Sequence, residues 1–160
     1  MAVVWLIILV PVVLFIFLFN DMVLKRTRVD YNLAVVLGAL EQRVVTAREL
    51  AENIAETMSD ESAALTELAG SYSRQAELTV KVELDKKLSE HLNTIRLQLE
   101  KEPDNAKSVK AIKEADSAML KAEAAYNESA RLINNALDQP CGRLLGRVMH
   151  QQPRVIIERS

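Results

Sequence analysis

The chain has 160 residues, 20 Lys and Arg against 22 Asp and Glu, and a net charge of −2. A balanced charge and 4% aromatic residues argue against a nucleic-acid surface and a base-stacking platform. A single cysteine, Cys141, excludes an internal disulfide framework, and the scarcity of Gly and Pro is the composition of long helices.

Residues 1–19 carry no charged side chain and consist almost wholly of Val, Ile, Leu and Phe. A helix of that length reaches roughly 28 Å, close to the hydrocarbon thickness of a bilayer. A core helix would carry a polar face, and a cleavable signal would begin with basic residues and end in small ones. Neither pattern is present, so residues 1–19 are expected to form a single transmembrane anchor. Lys25, Arg26 and Arg28 follow the run, and nothing basic precedes it except the terminal amine. Retention of basic residues on the cytoplasmic side predicts an external N-terminus and a cytoplasmic domain. The same three cations are candidates for contact with lipid head groups or a partner.

Residues 20–139 read as a long-helix domain. Leu33, Leu37, Leu40, Val44, Ala47, Ala51, Ile54 and Met58 alternate in steps of four and three, an a/d seam flanked by Glu41, Arg43, Arg48 and Glu49. Ser59-Asp60-Glu61 suits the start of the next helix. A second seam runs through Leu65, Leu68, Tyr72, Ala76, Val80, Leu84, Leu88, Leu92, Ile95 and Leu99, and Pro103 ends it. A third takes Val109, Ile112, Ala115, Met119, Ala122, Tyr126, Ala130, Ile133 and Leu137, and Gln139-Pro140 closes it. The expected fold is all-α: a transmembrane helix, three long antiparallel helices joined by short turns, and a short C-terminal helix or tail.

Residues 140–160 form a basic tail in which Arg143, Arg147, Arg154 and Arg159 face a lone Glu158, suited to an acidic partner or anionic lipid. Gly142-Arg143-Leu144-Leu145-Gly146 has small-x-x-x-small spacing. There is no phosphate-cradling loop and no nucleophile elbow. The two histidines, His91 and His150, lack the acid three residues earlier that di-iron bundles use. No catalytic residue, cofactor, metal ligand or small-molecule substrate is expected.

Several stretches carry a family likeness. Phe19-Asn20 with Val23, Arg26 and Val29 resembles the segment after the anchor of LemA proteins. Residues 49–57, from Glu49 through Asn53 to Thr57, resemble a second LemA stretch, although Glu52 stands where the family has proline. Ala125-Tyr126-Asn127-Glu128 is similar to the family's C-terminal Tyr-Asn-Glu motif. Asn134 falls at the spacing of its second Tyr-Asn, with Ile133 in place of that tyrosine, and Pro140 lies near the expected proline. The resemblance implies a protein of the bacterial inner membrane with a helical bundle and no established catalytic residues. Asn53, Tyr126, Asn127, Glu128 and Asn134 are therefore candidate register or interaction residues, since an interfacial Asn can fix helix register. The expected function is a helical scaffold that recruits a protein partner or further copies of itself. The alternatives are a membrane-bridging protein using the basic tail and a spanin-like periplasmic rod.

Overall fold

A computed structural model describes the backbone of residues 2–101 and 103–158, and the side chains of 9–101 and 104–158. Among the described residues there are five α-helices and no strand: α1 (Ala2–Ile54), α2 (Ser59–Gly70), α3 (Leu78–Leu99), α4 (Ala106–Asp138) and α5 (Pro140–Val148). A short 3-10 turn, Pro103–Asn105, leads into α4, and residues 151–158 have no regular secondary structure.

The expected transmembrane anchor is corrected. Among the described residues, no helix is long and apolar enough to cross a membrane. Side chains of this run are described from Leu9 to Phe19. Asp21, Lys25, Arg26, Arg28 and Asp30 follow on the same helix. The side chains of residues 1–8, the remainder of the expected span, lie outside the described residues.

The second of the three expected long helices is also corrected, because it is two helices. Gly70 ends α2, and Ser71 to Glu77 make a loop before α3. Gly, two Ser and the flexible Gln75 give this stretch little helical preference. Val80 of the expected stripe is accordingly exposed, whereas Leu84, Leu88, Leu92, Ile95 and Leu99 beyond the break are buried.

The chain divides into two compact units, one of residues 1–34 and 124–156, the other of 35–123 and 157–160. In the second, α2 packs on α3, and Leu65 and the buried leucines of α3 supply much of the core. Polar links join its helices: Ser62 donates to the Ala51 carbonyl at 2.8 Å, Arg48 to the Ala69 carbonyl at 2.8 Å, and Lys113 pairs with Glu100 at 2.8 Å. His91 Nδ1 lies 3.2 Å from Glu61, tying α3 to α2. In the first unit α1 and α4 run antiparallel, with Arg28 facing Glu128 and Asn32 facing Ala125 and Ser129.

The third seam is buried at all nine positions from Val109 to Leu137. On α1 the buried face also includes Met22, Val29, Val36, Arg43 and Leu50, each seven residues from the next. Arg43 is therefore a seam residue, with its side chain wholly buried.

Candidate peptide clasp and buried ion cluster

Two polar constellations stand out, one in each unit. In the first unit, Gln139 adopts an extended backbone, and Pro140 at the first helical position starts α5 with no amide donor to lose. Gly142 and Gly146 let α5 fold back on the end of α4. A Cβ on Gly142 would lie 1.8 Å from the Ala136 carbonyl oxygen, and one on Gly146 would lie 2.6 Å from Leu137 Cδ2. The small-x-x-x-small spacing thus serves a close contact within one chain.

The C-terminus of α5 closes in a Schellman motif. Gln151 N–H donates to the Gly146 carbonyl at 2.8 Å, and His150 N–H to the Arg147 carbonyl at 3.3 Å. The turn places His150 at φ 49°, in the left-handed region where glycine is usual. His150→Gly should stabilise this turn by about 1 kcal/mol, read as a rise in the thermal midpoint, whereas His150→Ala should not.

Beyond the turn, residues 151–156 form an arm clasped by α1 and α4. The Asn134 amide pairs with the main chain of Arg154 twice: its Nδ2 donates to the Arg154 carbonyl at 2.8 Å, and the Arg154 N–H donates to its Oδ1 at 2.7 Å. Tyr126 Oη donates to the Val155 carbonyl at 2.8 Å. The Arg154 guanidinium pairs with Asp30 of α1. Asn32 Nδ2 steadies the same floor, 3.1 Å from both the Ala125 carbonyl and Ser129 Oγ. Three of the four contacts with the arm address backbone atoms, and only the Arg154–Asp30 pair addresses a side chain.

Burial raises the Tyr126 hydroxyl above its ordinary value of 10.0; nearby Arg154 opposes the rise and Asp30 adds to it. The neutral hydroxyl donates to Val155, and a phenolate cannot. Because the folded value is the higher one, this contribution is complete below about pH 10 and is lost as pH rises through the folded value. A plot of thermal midpoint against pH should therefore steepen downward in that alkaline range. Tyr126→Phe should start lower and lack that step; an identical alkaline slope would contradict it.

The structure distributes the remaining sequence candidates as follows. Asn127 is half-buried, and Glu128 is exposed, 3.9 Å from Arg28. Asn53 is exposed on α1 of the second unit, beside a small cleft that Lys107 and Ile112 also line. Lys25 pairs with Asp21, and Arg26 lies 3.8 Å from Asp30. Arg143 and Arg147 line a surface cleft of about 460 Å³ with Asp138 and His150. The arm thus splits the basic tail, with Arg154 drawn to Asp30 and two other arginines left at the cleft.

In the second unit, Arg43 reaches Asp85 of α3 with one terminal nitrogen and Asp116 of α4 with the other. The arginine is 0% exposed, Asp85 4% and Asp116 32%, while Arg43 Nε is buried with no hydrogen-bond partner. The planar fork of arginine suits such a two-sided bridge better than the single ammonium of lysine would. The sequence pattern alone puts Arg43 on the flank of the seam; its seven-residue spacing from Val36 and Leu50 is the signal that places it within it. Among the described residues, no three His, Cys, Asp or Glu side chains gather as a metal site.

The described residues therefore form a helical bundle, with a clasped C-terminal arm in one unit and a buried ion cluster in the other. No family model, curated protein or solved structure matches the chain.

Proposed function

We propose that the chain is a helical scaffold of the LemA type, working by holding polypeptide segments against its helices. The observation that carries this reading is the use made of Tyr126 and Asn134. Both belong to the stretch that resembles the family's C-terminal motif, and both grip main-chain atoms of a segment without regular secondary structure. A side-chain amide that donates to a carbonyl and accepts from the adjacent N–H imitates a neighbouring peptide group, which favours a protein ligand over a small molecule. Main-chain recognition supplies affinity in strand-addition complexes on the same principle.

Chemical crosslinking of the full chain in the cells that produce it tests the proposal. The expected result is a discrete higher-mass species containing this chain with itself or with a constant partner. Recovery of monomer alone at every crosslinker concentration overturns it.

A further inference from the structure

The clasp is filled by the chain's own arm, and two features of that filling point to exchange. The recognition is mostly of backbone, so an identical arm from another molecule makes the same contacts. The hinge is strained: His150 sits at φ 49° with a side chain that the left-handed region disfavours. Short hinges under strain favour domain swapping, because the opened form releases the strain while keeping every docking contact.

We infer that the clasp of Asp30, Tyr126 and Asn134 is a docking site for residues 151–156 of a second copy of this chain. The inference rests on the scaffold reading and names its partner. Two molecules open at Met149–Gln152, and each arm enters the other's clasp. Arg154 of one copy then meets Asp30 of the other, Tyr126 donates to the incoming Val155 carbonyl, and Asn134 takes the incoming Arg154 backbone. From Met149 to Val155 an extended chain reaches about 20 Å, enough to leave its own helices once the Schellman turn unwinds. Reciprocal exchange closes a two-fold dimer and leaves no arm unpaired.

The test uses the full chain with a benzophenone side chain at Val155, which is 60% exposed and contributes only its carbonyl to the clasp. Molecules of two isotopic compositions are mixed, incubated and irradiated, and the products are mapped by mass spectrometry. The expected result is mixed-isotope peptides joining Val155 of one copy to residues 122–134 of another, increasing with concentration. His150→Gly should lower that mixed fraction several-fold by removing the strain from the closed hinge. Asn134→Ala should abolish it with helicity unchanged by circular dichroism. Arm products confined to single chains at every concentration overturn the exchange, and so do mixed products indifferent to Asn134→Ala. If cellular crosslinking still gives a higher-mass species, such a result removes the exchange alone and leaves the scaffold reading standing.

Discussion

Gly142→Ala is expected to detach the C-terminal helix. The added methyl would stand 1.8 Å from the Ala136 carbonyl oxygen and 2.8 Å from its carbon, and both are backbone atoms of α4 that cannot turn aside. The only remedy is for α5 to lift, at a cost of about 3 kcal/mol, the upper part of the usual range for overpacking. Amide exchange should then quicken over residues 139–156, including the Arg143 amide bound to Gln139 and the Gln151 amide bound to Gly146. Protection around Leu92 and Ile112 should stay as it was, because these residues belong to the other unit's core. Gly146→Ala should cost only about 1 kcal/mol, since its obstacle is the far end of the flexible Leu137 side chain. Equal protection of α5 in wild type and Gly142→Ala would refute the account.

The second large effect is expected at Arg43. Arg43→Met keeps much of the volume and removes the charge that faces Asp85 and Asp116. Asp85 is almost wholly buried, so the loss leaves an acidic group in the core without its guanidinium, and about 3–5 kcal/mol of stability should go with it. Asp116 keeps access to solvent and should contribute less to the loss. Replacing the two buried members, Arg43→Met with Asp85→Leu, should recover most of the stability, since a packed apolar pair often equals a buried ion pair. Urea denaturation of the two single variants and the double variant measures this coupling, and simple additivity would contradict it.

These two sites differ in how visible they are in the sequence. The long third helix could be read because Pro103 and Pro140 bracket it and its stripe repeats without interruption; every predicted seam position from Val109 to Leu137 is buried. The first seam was read only in part. A charged side chain at Arg43 breaks the apolar pattern, although Met22, Val29, Val36 and Leu50 mark the same row at intervals of seven. The break after Gly70 is masked in the sequence because Tyr72, Ala76 and Val80 continue an apolar period that local Gly and Ser preferences override. The expected membrane span rests on residues 1–19 as a block, and among the described residues no helix is long and apolar enough to cross.

The clasp was half legible. Tyr126 and Asn134 were singled out by their likeness to a family motif, yet that likeness carries no information about what they hold. Their partners lie at Arg154 and Val155, 20 and 29 residues further on. No periodicity links these positions, and only the reversal at Gln139-Pro140 followed by the turn at His150 brings them together. Asn32 and Asp30 are hidden more deeply, because on α1 they look like ordinary polar residues of an exposed face. Their role depends on α4 lying antiparallel beside them.

A clasp that reads backbone atoms measures spacing more strictly than it measures sequence. Val155 can change freely, because only its carbonyl is held. Removing one residue between His150 and Arg154 is a different matter. It moves the backbone atoms of the arm out of register with the clasp, so Tyr126 and Asn134 would meet the wrong atoms together. The arm should accordingly accept many substitutions and almost no insertions or deletions. Length, more than composition, is the property that natural variation in this segment has to preserve.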